Sequence, residues 1–191
     1  MLSRVSRERF LSDSELARFM AAVRERRHVH QPRDHALFAL LANTGIRPSE
    51  AMRLTLADVH LGRRVWIHVA RRRREHAPHP VTDLVLQRAV GDIVKKYVGQ
   101  IGTDPGARLF PFTKRQSHRL FHYYATKAGI RDPHKLYDLR HTVGMRLWRH
   151  TKDLRLMQAI MGHVRLKATA CYVHTGDEQI RAAYDRLATI E

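Results

Sequence analysis

The apolar positions of this chain recur mostly at helical spacing. Leu16, Phe19, Met20 and Val23 follow Ser12-x-x-Glu15, a capping box, and predict a first helix ending near Arg27. Gln31-Pro32 reads as its break. The run Asp34 to Asn43 is apolar almost all round, which predicts a buried helix that Gly45 ends. Pro48 suits the first turn of a new short helix, with Ser49, Glu50, Ala51 and Met52 behind it. Arg47 therefore falls on the joint between two helices, a rigid place to present a charge.

The pattern then changes. Val65 to Ala70 carries tryptophan and β-branched residues and reads as a strand. Arg71 to Arg74 follows as an exposed basic turn, and Pro80-Val81 marks the returning strand of a hairpin, at an edge or end position. A third strand near Leu56 to Leu61 is an open alternative. Thr82 or Asp83 caps a helix running to about Val98. Gly99 to Pro111 is a loop with Asp104-Pro105-Gly106 as its turn, and a helix from about Arg115 to Ala128 follows. Leu139, Val143, Leu147 and Trp148 share one helix face with Arg140 among them. Leu154, Met157, Ile160 and Met161 form another, stopped by Gly162, and Asp177 to Ile190 reads as a last amphipathic helix. The fold class expected is α+β, mostly helical, with a small antiparallel hairpin or sheet, in one domain over residues 1–191.

Charge narrows the function. Lys and Arg number 35 against 18 Asp and Glu, a net +17, which points to a polyanion and first to nucleic acid. Cys171 is the single cysteine, so no intramolecular disulfide forms, as suits a reducing cytoplasm. No apolar run reaches the ~18 residues that span a bilayer, so no membrane partner is expected. His118 and His122 are four apart, but zinc needs more ligands, and no metal site or cofactor is expected. No P-loop or dinucleotide fingerprint occurs.

Four sequence boxes carry the sharper reading. Thr44-Gly45-Ile46-Arg47-Pro48-Ser49-Glu50 comes first, and Tyr137-Asp138-Leu139-Arg140, continuing into His141, comes second. Met161-Gly162-His163 precedes Tyr172-Val173-His174, with Tyr172 nine residues after His163. Their order and spacing resemble the tyrosine recombinase (phage integrase) family over roughly Phe10 to Tyr184. The resemblance implies a catalytic domain that cuts and rejoins DNA at specific sites, without metal or cofactor. Tyr172 would attack phosphorus and leave a 3′-phosphotyrosine, conserving bond energy for rejoining. Arg47 and Arg140 would hold the nonbridging oxygens, which planar, permanently charged guanidiniums suit, and His163 would add a third hydrogen bond. The partners implied are double-stranded DNA and further copies of the chain, as a dimer or tetramer on that DNA, in the cytoplasm at the nucleoid. The N-terminal core-binding domain of most relatives is not expected in this chain.

Two positions depart from the family pattern. Tyr137 stands where the second box has histidine, and a phenol does not titrate near neutral pH. The hairpin turn, where relatives place a lysine that protonates the leaving oxygen, holds Arg71 or Arg72, depending on alignment; the first lysine of the chain is Lys95. A catalytically impaired DNA-binding accessory protein of the same fold is the alternative function. Arg72, Arg73, Lys114, Arg115 and Arg119 are expected on DNA, as is the group Arg24, Arg26 and Arg27; helix arginines of this kind are equally solvated faces. Taken singly, Arg140 could be an exposed helix arginine, His163 a residue closing a helix, and Tyr172 a core or edge tyrosine.

Overall fold

A computed structural model of the chain describes residues 10–26, 28–70, 82–130, 134–163 and 169. Among them are seven α-helices and one three-stranded antiparallel sheet. The basic turn after Ala70, the strand expected at Pro80-Val81, Tyr172 and the helix expected over Asp177 to Ile190 lie outside the described residues.

Helix α1 spans Asp13–Glu25. Its capping box forms as the sequence predicts: the Ser12 backbone N–H donates to Glu15 Oε2 at 2.8 Å, and Ser12 Oγ accepts from the Glu15 N–H at 3.2 Å. The hydrogen bonds from the Ser12 side chain and backbone hold the Glu15 carboxyl below its ordinary range. Helix α2, Gln31–Thr44, is the centre of the molecule. It buries every residue from Ala36 to Ala42, is followed by the short helix α3, Pro48–Ala51, and packs against α1 and the later helices α4, Arg88–Val98, and α6, Asp138–Thr151. Gln31-Pro32 starts this helix rather than merely ending the one before. Proline in a first turn forfeits no helical hydrogen bond, because the N–H it lacks has no partner there.

Aromatic rings fill the space between α1, α2 and α5, which spans Lys114–Lys127 behind a Thr113 capping box. Phe19 meets Phe38 edge-on at 5.0 Å and Phe121 at 5.2 Å, and Phe38 meets Tyr124 at 5.6 Å. Such packing adds to the burial of these rings, each worth roughly 1.5–3 kcal/mol.

The sheet runs β1 (Val59–His60), β2 (Trp66–His68), β3 (Asp83–Val85), each antiparallel to the next, so the third strand exists. Ile67 pairs with Leu84 on the buried face, and His68 Nδ1 lies 2.6 Å from Asp83 Oδ1 on the exposed one. This register corrects one expectation. Thr82 and Asp83 do not cap a helix; buried Leu84 and Leu86 alternate with exposed Asp83 and Val85, which is the strand period, and α4 begins only at Arg88.

Helices α6 (Asp138–Thr151) and α7 (Leu154–Met161) form a pair that closes a second, smaller cluster of Val143, Met145, Met157 and Met161. Thr142 Oγ1 ties this pair to the N-terminal segment by accepting from the Leu11 N–H at 2.9 Å.

Candidate active site

Two helices end at one place. Helix α2 closes at Gly45, in the left-handed conformation at φ 65°, with its N–H donating to the Leu41 carbonyl. Helix α7 closes at Gly162, also left-handed at φ 61°. Each helix end leaves carbonyls without intrahelical partners and carries partial negative charge. A Cβ on Gly45 would sit 3.0 Å from both Met161 Sδ and Val143 Cγ1, so glycine serves twice here, for its φ and for the close approach of the two ends.

Arg140 and Arg47 supply the compensating positive charge. Arg140 is 1% exposed, the largest of the fully buried side chains, so it is not a solvated helix arginine. Its Nη1 donates to the Gly45 carbonyl at 2.6 Å and its Nη2 to the Met161 carbonyl. Arg47 stands further out, its side chain one third exposed. Its Nη2 donates to the Gly162 carbonyl at 3.1 Å and its Nη1 to Glu50 Oε1 at 2.7 Å. The two guanidiniums, 93 residues apart in sequence, thus reach neighbouring carbonyls of one turn.

His163 is the next residue of that turn. Its backbone N–H closes the helix by donating to the Gln158 carbonyl at 3.0 Å, while its ring Nδ1 lies 2.9 Å from Thr169 Oγ1. It therefore closes a helix and holds an oriented imidazole at once. Tyr137 precedes the first residue of α6, and its ring stands edge-on to His141 at 5.2 Å. Its side of the helix end is open, 40% exposed, whereas Arg140 one turn on points inward.

Of the six residues expected to act in catalysis, Arg47, Arg140 and His163 share the turn, and Tyr137 heads the helix that carries Arg140. Tyr172 and Arg71 lie outside the described residues, as do Arg72 and Arg73. Lys114, Arg115 and Arg119 are exposed on the first turns of α5.

Glu50 is the residue the sequence reading passed over. It is 5% exposed, and besides its bond to the Arg47 guanidinium its Oε2 accepts from the Arg47 N–H at 2.7 Å. Its place three residues after Arg47 on a short helix was the available signal, since residues three apart face each other. Thr169 gave no such signal; nothing in its spacing from His163 implies a helical or strand neighbour.

The site can hold an anion. Positive donors are fixed by carbonyls and a buried carboxylate, so little side-chain freedom remains to be lost on binding. Among the described residues no helix is long and apolar enough to cross a membrane.

The chain is 29% identical to tyrosine recombinase XerC of Neisseria gonorrhoeae over 162 residues, covering 80% of this chain and 50% of that protein. It spans about half the length of the curated relatives it matches. Its fold superposes on the XerH site-specific recombinase bound to difH substrate before cleavage, with a TM-score of 0.75 at 19% identity, covering 93% of this chain and 54% of the other. On the catalytic domain of bacteriophage HP1 integrase the TM-score is 0.61 at 18% identity, covering 93% and 94%. The phage integrase family model matches residues 9–179, nearly the whole chain, which therefore belongs to the phage integrase family.

Proposed function

We propose that this chain is the catalytic part of a site-specific recombinase that breaks and rejoins duplex DNA through a covalent bond to Tyr172. The observation that carries the reading is the convergence of Arg47, Arg140 and His163 on the Met161–His163 turn. In this reading a phosphodiester lies over the turn. Arg47, the outer guanidinium, and Arg140 behind it stabilise the charge that builds on the nonbridging oxygens. With its Nδ1 at Thr169, His163 offers Nε2 to the same phosphate. The phenol of Tyr172 gives up its proton to water as its oxygen attacks phosphorus in line. The P–O5′ bond breaks and the 5′-oxygen leaves with a proton, and the 3′-phosphotyrosine keeps the bond energy until a 5′-hydroxyl attacks back. Family membership and the net +17 charge support DNA as the substrate. Work on chromosomal or element DNA places the protein at the nucleoid, with further copies on the same DNA supplying the second pair of strands. Arg71 or Arg72 takes the part of the proton donor to the leaving oxygen, by hydrogen bond or through a water.

The test is metal-free incubation with nicked duplexes carrying candidate recombination sites from the DNA flanking the gene, where the nick traps the covalent intermediate. A protein–DNA adduct is expected from the wild type and none from Tyr172→Phe, with DNA binding retained. Binding without any adduct in the wild type would establish the accessory role instead, for which the histidine-to-tyrosine change at Tyr137 is the observation in favour.

A further inference from the structure

A second cluster of cations, apart from the turn described above, is built around a buried carboxylate at the corner between α1 and α2. Asp34 is 1% exposed. Its Oδ1 accepts from Arg33 Nε at 3.1 Å and Nη2 at 2.9 Å, and its Oδ2 accepts from the Tyr124 hydroxyl at 2.8 Å. Arg26 Nη1 donates to the Tyr124 oxygen at 3.3 Å and lies 3.7 Å from Asp34 Oδ2. Aromatic faces fix both guanidiniums: Arg26 lies over the Tyr123 ring at 4.5 Å, and Arg33 over the Phe112 ring at 4.2 Å. Arg26, Arg33, Phe112 and Tyr123 line a groove of about 340 Å³ together with Gln116 and Arg119.

Three guanidiniums, those of Arg26, Arg33 and Arg119, line the groove, and the one carboxylate that contacts two of them, Asp34, is buried, so the groove is positive. Two of the three are held in place before any ligand arrives, which lowers the entropy cost of binding. The rings each have one face covered by an arginine, so the groove offers guanidinium edges rather than open faces for stacking. Such edges match the oxygens of phosphate or carboxylate. The choice between these follows from continuity. Arg119 belongs to both the groove and the exposed side of α5, where Arg115 lies one turn back and Lys114 beside it. A run of cations from a helix corner along a neighbouring helix suits the repeated phosphates of a nucleic-acid strand better than a single acidic group.

The geometry points to Arg26 and Arg33 as a preset clamp for backbone phosphates of duplex DNA, extending the contact made by α5 to the α1–α2 corner. This rests on the reading of the chain as a DNA-acting protein. It adds two phosphate contacts that carry no sequence information and fix how the duplex lies on the protein.

The test uses the full chain and a fluorescent duplex of about 30 base pairs of random sequence, with affinity measured across a salt series. Arg26→Gln with Arg33→Gln should lower the slope of log affinity against log salt by roughly 2, and the affinity by about tenfold or more at low salt. An unchanged slope in a folded variant, with wild-type binding intact, overturns the clamp and leaves the DNA reading standing. If the wild type binds no duplex, the DNA reading itself falls and takes the clamp with it. Poly-glutamate that binds the wild type and not the variant, while duplex DNA binds both alike, assigns the groove to an acidic protein partner. Should the double variant fail to fold, phenylglyoxal modification of the wild type decides the matter. Arg26 and Arg33 are expected to be protected by duplex DNA, and equal labelling with and without DNA overturns the proposal.

Discussion

The body built around α2 and the pair α6–α7 are held by different means, and the candidate site lies where they meet. The α2 body is filled by interlocking aromatic and aliphatic side chains, with Phe19, Phe38, Phe121 and Tyr124 at its centre. The α6–α7 pair encloses only a small cluster, three of whose four buried members are methionines. Methionine packs adaptably and specifies position weakly. The pair is placed instead by directional contacts: Arg140 to the Gly45 carbonyl, Thr142 to the Leu11 N–H, and the close approach at Gly45. Apolar packing thus fixes the backbone that carries Arg47, and polar bonds fix its guanidinium and where Arg140 and His163 stand relative to it. The residues that orient the site are also what attach its second half.

The contrast is tested most strongly in the α2 body. Phe38→Ala removes a ring with no exposure from the centre of the aromatic cluster and should cost about 3–5 kcal/mol, enough to unfold much of the protein. Thermal unfolding should show one broadly lowered transition with α6–α7 lost along with the rest. Loss of α1 or α5 alone, with α2 protected from hydrogen exchange, would show that the body is not one cooperative unit.

Gly45→Ala strikes the seam. The left-handed φ of 65° is strained for alanine by roughly 1–2 kcal/mol, and the new Cβ must displace Met161 Sδ and Val143 Cγ1 from 3.0 Å. A total of about 2–3 kcal/mol is expected, felt unevenly. Amides of α6 and α7 should exchange faster by a larger factor than those of α2 and α5. Uniform loss of protection would mean that the two regions do not separate at Gly45.

How much of this could be read beforehand follows the same division. The α2 body was legible because apolar periodicity, a capping box and Gly45 are local signals: α1, α2 and α5 lie within a few residues of where the pattern puts them. The sheet was legible as a hairpin but displaced, since Thr82 and Asp83 have cap chemistry and only the pairing of Leu84 with Ile67 shows that a strand prevails. The site was legible as four boxes and not as an arrangement. Nothing near Arg140 in sequence says that its guanidinium reaches Gly45, 95 residues away, because that bond depends on two helix ends meeting in space. Glu50 was within reach of the spacing argument and Thr169 was not.

Glu50→Gln is a smaller perturbation with a sharper readout. The amide still accepts one hydrogen bond from Arg47, but the charge that balances the guanidinium is gone. Stability should fall by about 1–2 kcal/mol, the scale of a charge-assisted bond weakened rather than emptied. On the proposed function, DNA cleavage should slow by roughly tenfold, a fraction of the loss expected from deleting a preorganised donor outright. Duplex binding at fixed salt should be unchanged or slightly tighter, because one negative charge has left the site. Cleavage as fast as wild type would show that Arg47 is held well enough by the Gly162 carbonyl alone.

The least effect is expected from pH, and it separates the two regions by a different property. His35, on α2, is half-buried, and burial first, then the charges of Arg24 and Lys96, lower its pKa from the ordinary 6.5. Burial, with Lys114 and His122, lowers that of His118 on α5 in the same way. Between their folded values and about 6.5 the unfolded chain binds more protons than the folded one, so stability rises with pH across that window. The contribution is complete above about pH 6.5, is lost as pH falls through the folded values, and changes no further below them. Both histidines belong to the α2 body, so mild acid should loosen that body through these groups. The measurement is unfolding free energy at pH 7.5 and 5.5 for the wild type and for His35→Gln with His118→Gln. The variant should lose less stability than the wild type on acidification, and hydrogen exchange at the lower pH should place the difference in α2 and α5. An identical pH dependence in both proteins would mean that other titrating groups set the acid response, and that burial of these two rings is relieved before they take up protons.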